Sequence, residues 1–339
     1  MAIDQSAYTF NPITLPGIGV VPQLADINNH GDIVGHIDDA SGEHGFLLRG
    51  GDVTILDVPG ANGTVATSVN DAGDIVGYYL SPDIALHGFL YSHGTFTTLD
   101  IPGASSTELT GINDRGQIVG FASASSADAP SGGFIFDNGA FTRITVPDHP
   151  DAFLVPQGIN NHGVIVGVSG NEGFVLEGDH LTTLDNPFSS FFIRPDDVND
   201  EGQVVGSLAP AQRAGAGFVY DDSQITLFGP PQPTNQAPNW SLHGINDAGD
   251  IVGNNGSGGA SGGFAFLATP TAVTPPAPNR PVVDWDALAA LVEANFAATG
   301  KWFVPDDVSV PAPIQPVVDW DAIAAQVEAN FAATGQWFL

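Results

Sequence analysis

The chain has no cysteine. Disulfides, thiolate nucleophiles and cysteine metal ligands are excluded, and nothing depends on a redox compartment. Positive charge is almost as scarce: Lys+Arg number 7 against 38 Asp+Glu, Lys301 is the only lysine, and the formal net charge is -31. Such a field repels phosphate backbones and anionic lipid. It excludes nucleic acid and acidic membranes as partners and favours cations and basic partners. No segment reaches the ~18 consecutive apolar residues of a membrane span. The opening stretch, "MAIDQSAYTF", lacks the basic and apolar regions of a classical secretory signal. A GxSxG nucleophile elbow is also missing.

What the chain has in abundance is a repeated phrase. It reads "DINNHGDIVG" (26–35), "SVNDAGDIVG" (68–77), "GINDRGQIVG" (111–120), "GINNHGVIVG" (158–167), "DVNDEGQVVG" (197–206) and "GINDAGDIVG" (244–253). The closing glycines, Gly35, Gly77, Gly120, Gly167, Gly206 and Gly253, are spaced by 42, 43, 47, 39 and 47 residues. A Gly-Phe pair follows each copy: Gly45-Phe46, Gly88-Phe89, Gly133-Phe134, Gly173-Phe174, Gly217-Phe218 and Gly263-Phe264. Asn and Asp tolerate left-handed backbone and Gly adopts positive φ freely, so "NDxG" is a hairpin turn. The flanking alternation makes strands, as in "TELTGIN", "QIVG", "GFIF" and "TFTTLD". Four short strands in each unit of ~40–45 residues are the signature of a β-propeller blade.

The sixth unit stops after its third strand, whereas "AYTFNPITLPG" (7–17) resembles the fourth strand of other units. Pairing the two closes the ring and removes an exposed sheet edge. The expectation is an all-β, six-bladed propeller of four-stranded antiparallel blades over residues 1–269, closed by the N-terminal strand.

The units resemble the extracellular repeats of the HAF family, named for a His-Ala-Phe triplet beside an "IND.G.IVG" phrase. Two units read "EHGFL" (43–47) and "LHGFL" (86–90), with Gly in place of Ala; the other four carry Gly132, Glu172, Ala216 and Gly262 where the His would stand. The resemblance spans about three quarters of the chain. It implies a secreted or surface bacterial repeat protein and no particular reaction.

Candidate chemistry in the ring is sparse. His44 and His87 hold matching positions in neighbouring units, whereas His30 and His162 sit inside "NNHG" turns, where any polar residue serves. Asp71, Asp114, Asp200 and Asp247 recur in the turns. Calcium accepts such oxygens, but no EF-hand loop or calcium-binding nonapeptide series is present, so no cofactor is expected and calcium alone stays open. The innermost strands are small or apolar at most positions, Arg194 and His243 excepted. That favours binding over catalysis. Variable loops between second and third strands should share a face with the "PGA" crossovers and form a surface for a glycan or small ligand. The alternative is a propeller hydrolase or lactonase working at the mouth of the channel.

The remainder reads differently. A Pro-rich linker (270–280) leads to "PVVDWDALAALVEANFAATGKWF" (281–303); a second linker (304–315) leads to a near copy within 316–339. Asp284 and Asp319 suit N-caps, the Ala-rich bodies favour helix, and Gly300 and Gly335 suit stops. Trp285, Leu288, Val292 and Phe296 fall on one helical face, with Trp302 after the stop. Trp320, Ile323, Val327, Phe331 and Trp337 repeat the set. A helix this short is marginal alone, so the two aromatic faces are expected to dock a protein partner, doubled for avidity. The acidic, glycine-rich, cysteine-free chain resembles in style the substrates of bacterial type I secretion, which implies export without a classical signal peptide.

Overall fold

The computed structural model describes residues 7–124, 131–146, 153–184, 191–210, 215–229, 240–255 and 263–271. Every regular element among them is a strand, and the strands form six four-stranded antiparallel sheets. Five sheets run in simple sequence order. The sixth takes its outermost strand, Tyr8–Ile13, from the start of the chain: it pairs antiparallel with Phe264–Pro270, from Tyr8 opposite Pro270 to Ile13 opposite Ala265. The sheets are the blades of a closed six-bladed propeller, numbered here 1 to 6 in chain order.

Each blade uses the same local device. The innermost strand carries a bulge just before the turn, at Ala25, Thr67, Thr110, Gln157, Asp196 and His243 in blades 1 to 6. The bulge brings its backbone hard against the closing glycine of the repeated phrase. A Cβ on Gly35, Gly77 or Gly206 would lie 2.0 Å from a carbonyl oxygen of the innermost strand, a separation no side chain tolerates. Glycine is required there for close approach.

Opposite that glycine lies one fully buried phenylalanine per blade: Phe46, Phe89, Phe134, Phe174, Phe218 and Phe266. The last departs from the sequence reading, which assigns Phe264 to that role. Strand side chains alternate with period two, so "FAF" offers two phenylalanines on one side. The ladder sets Phe266 opposite Gly253, with Ala265 in place of the usual glycine, and leaves Phe264 39% exposed. Phe264, not Gly262, therefore occupies the position matching His44.

Candidate functional site

The channel has two mouths of different character. At one, the six turns meet. In each turn the first Asn (Asn28, Asn70, Asn113, Asn160, Asn199 or Asn246) is buried. Its side-chain oxygen accepts backbone N–H bonds within the turn, as Asn28 does from His30 and Asp32. Its amide nitrogen donates to the backbone carbonyl of the matching Asn in the next blade, six times around, ending with Asn246 to Asn28. A second ring lies outside it. The backbone N–H of Asn29, Asp71, Asp114, Asn161, Asp200 and Asp247 each donates to the side chain of the next, again closing on the first. The turn aspartates are thus clasps between blades, each with both oxygens engaged: one accepts the ring's backbone N–H, the other the side-chain amide of Asn29 or Asn161. At about 1 kcal/mol net per bond, twelve such bonds rival a domain's whole stability.

Below this mouth a cavity of about 70 Å³ narrows onto two carboxyls. The position after the bulge is Ser68, Gly111, Gly158 and Gly244 in four blades, but Asp26 in blade 1 and Asp197 in blade 5. The two carboxyls line the same cavity and each perturbs the other's protonation. Asp26 also accepts from Ile27 N, Ser68 Oγ and Val69 N, and Asp197 from Ile245 N. Burial pushes Asp26 up to about 6 and Asp197 well above the usual carboxylate range, the charge of Asp26 adding to the second shift.

The other mouth faces the crossovers. As expected, the second-to-third-strand loops share this face. Crossover residues Asn62 and Ser105 bond to the ends of second strands, at Leu80 and Ser123. Here the blades stop resembling one another. Arg194 donates to Asp196 Oδ1 at 2.8 Å and to Gln157 Oε1 at 3.0 Å. In blades 2 and 3 the bulge residue is Thr67 or Thr110, whose hydroxyl meets only backbone carbonyls. Asp196 occupies that acceptor-lined position in blade 5. Its Oδ2 is buried without a hydrogen-bond partner, and burial raises its pKa to about 6 against the pull of Arg194. His243 is pushed down to about 4 by burial, then by Arg194 and His36, and is a neutral imidazole at physiological pH. Tyr78 and Glu108 are both raised, chiefly by burial. Tyr78 also feels the charges of Glu108, Glu43 and, across the channel, Arg194.

Arg194 and His243, the two exceptions in the innermost strands, therefore stand in a larger polar group that sequence reading missed. The signal was available in the bulge position, where Ala, Thr, Thr, Gln, Asp and His succeed one another. It becomes legible only when the ladders reveal the bulge. An apolar rim adjoins the group: Phe121 and Phe153 meet edge to face at 5.6 Å, and Phe153 is 49% exposed.

His44 and His87 do match, each bonded through Nδ1 to the aspartate thirteen residues on, Asp57 at 2.9 Å and Asp100 at 2.7 Å. In blade 1, Ser41 Oγ lies 3.0 Å from His44 Nε2 beside a cavity of about 390 Å³, the spacing of a hydrolytic triad. The hydroxyl, however, also reaches Asp39 Oδ1 at 2.5 Å. Its proton goes to that carboxylate instead of the imidazole, and blade 2 repeats the His–Asp pair without such a serine. The pair is a tie between the third strand and the crossover. Trp285, Leu288, Val292, Phe296, Trp302, Trp320, Ile323, Val327, Phe331 and Trp337, with both tail helices and their linkers, lie outside the described residues.

No protein-family model matches the chain, and no curated protein matches it significantly. Among solved structures, a catalytically inactive virginiamycin B lyase from Staphylococcus aureus is similar at 13% identity and a TM-score of 0.44, over 77% of this chain and 99% of that one. TolB from Acinetobacter baumannii is similar at 12% identity and 0.47, over 70% and 63%. A fucose-binding lectin from Aleuria aurantia is similar at 12% and 0.43, over 74% and 96%. Likenesses this distant assign neither ligand nor reaction. No helix among the described residues is long and apolar enough to cross a membrane.

Proposed function

We propose that the protein is a non-enzymatic, extracellular or surface binding protein of HAF type. Its propeller takes a glycan or a similarly hydroxylated small ligand at the crossover mouth. The carrying observation is where the repeat breaks its own pattern: Glu108, Gln157, Arg194, Asp196 and His243 come from four blades and gather at one opening. Sugars present hydroxyls to such a mixed donor and acceptor set and an apolar face to rings such as Phe121 and Phe153. Arg194, 57% exposed along its side chain yet held by two partners, is a prearranged donor.

The expected result on a glycan array is selective retention of the full chain. Arg194→Ala should weaken the best ligand about 10- to 100-fold, the worth of one or two charge-assisted hydrogen bonds; because it also leaves buried Asp196 without its cation, the variant should melt lower, and binding is compared well below its transition. An array without selective binding, or an Arg194→Ala variant that binds equally, defeats the reading. One observation favours the propeller-hydrolase alternative: Asp196, a carboxyl with a raised pKa, shares the mouth with a neutral imidazole, as an acid and base would. Mass spectrometry of the bound ligand separates the two, since a binding protein returns it intact.

The duplicated tail is the second half of the proposal, an export, docking or assembly module. Its support is the twofold aromatic face on proline linkers, in a chain whose composition suits type I secretion. Deleting residues 271–339 should abolish secretion or change the assembly state; a truncated chain identical in both respects would falsify this half.

A further inference from the structure

The second hairpin of blade 1 departs from the repeat in a way that glycan binding does not use. His36 and Asp38 stand two apart on the second strand, Ile33–Asp39, and so share one face. Glu43, on the third strand, lies directly across the ladder from Asp38. One ligating atom from each of the three lies within 4.8 Å of the other two. The matching positions in blade 2 are Tyr78, Leu80 and Leu86. Phe121, Val168, Ser207 and Asn254 stand where His36 stands in blades 3 to 6, so the set occurs in blade 1 alone.

Two like charges facing each other on a ladder oppose strand pairing. Here they are not neutralised by arginine: the arginine ion pairs among the described residues join Arg49 to Asp32 and Arg194 to Asp196. What does stand beside the carboxylates is an imidazole. A neutral imidazole nitrogen is a donor that ligates metals. A nitrogen with two carboxylates is a donor set for zinc or a similar first-row ion; calcium takes oxygens only. Three protein ligands leave coordination positions open. His36 sits within the ladder opposite Gly45, and Asp38 and Glu43 form its next-to-last rung, so all three donors stand on strands and not in a loop.

We propose that His36, Asp38 and Glu43 form a binding site for a divalent transition-metal ion, zinc first, with its open positions at the crossover mouth. His243 borders the site from blade 6, close enough for His36 to depress its protonation. The site stands independently of the glycan reading and is read out by metal alone.

The test titrates zinc chloride, manganese chloride and calcium chloride calorimetrically into the full chain, and follows cobalt(II) by visible absorption. One zinc ion should bind with micromolar or better affinity, and cobalt should develop the bands of a nitrogen-ligated site. His36→Gln should lower zinc affinity about 10- to 100-fold and abolish the bands. Glu43→Gln, at an exposed position, provides the same loss if His36→Gln fails to fold. His44→Gln, on the opposite face of the hairpin, should leave binding unchanged. Zinc binding that survives both His36→Gln and Glu43→Gln overturns the proposal, as does calcium binding of equal strength that ignores His36, which is diffuse acidic attraction. A chain that takes up no zinc at micromolar metal overturns it outright.

Discussion

Removing residues 1–13 should abolish cooperative unfolding or lower the melting temperature by more than ten degrees. The strand Tyr8–Ile13 is a small part of the chain, but its loss acts at three places. The ladder to Phe264–Pro270 goes, at about 1 kcal/mol net per hydrogen bond. Tyr8 and Phe10 leave their contacts with Phe228 at 4.8 and 5.5 Å, and Phe10 leaves Phe266, each ring worth about 2 kcal/mol in burial. Blade 6 then offers an unpaired edge beside the seam where Asn246 bonds to Asn28 and Asn254 bonds to Leu24 and Pro22. Together these losses approach the 5–15 kcal/mol that holds a typical domain. Calorimetry of the shortened chain gives the answer, and a synthetic peptide of residues 1–17 should restore the transition. A truncated chain melting with the full one removes the strand from any closing role.

The second large effect concerns Asp26 and Asp197. Burial raises both folded pKa values above the unfolded value near 3.8, Asp26 to about 6 and Asp197 well above 3.8. Between those limits the unfolded chain releases protons that the native chain keeps, so stability falls as pH rises from about 4 through 6 and beyond. Asp196 acts in the same direction and window. His243 opposes them: its folded pKa, about 4, lies below 6.5, so its contribution is present above 6.5 and lost as pH falls toward 4. Replacing Asp197 by Ser borrows the solution of blade 2, where Ser68 both donates to Asp26 and accepts from Ile112 N. Asp197→Ser should therefore gain on the parent as pH goes from 4 to 8, because the variant no longer keeps the proton that the unfolded chain releases. Denaturant melts across that range measure it. Parallel stability curves for parent and variant would show that the two carboxyls are not coupled.

The fold was legible for a specific reason. A turn phrase written six times, with an orphan strand at one end and a missing one at the other, leaves little freedom once each sheet must hide its edge. The clasps were partly legible: Asn and Asp announced the turn, but not the bond from one Asn to the matching residue 39 to 47 positions on in the next blade. Phe264 misled because its neighbour at period two is also phenylalanine. Asp26 and Asp197 were unreadable in "LADIN" and "RPDDVN". Only the bulge turns those side chains into the channel, and only ring closure makes residues of blades 1 and 5 neighbours. The polar mouth escaped notice for the same reason, since its members look isolated in a chain with 38 carboxylates.

The seam in blade 6 also imposes an order of events. Ala7 and Thr271, bonded across it, are 264 positions apart. A ribosome adding roughly 5–20 residues per second exposes the first strand for tens of seconds before its mate exists. Five blades can form by local pairing during that wait, but the disc locks only when the last sheet arrives. Until then the nascent chain is an open arc with a sticky hem at each end, a form that chaperones can hold and that a narrow conduit can still unthread.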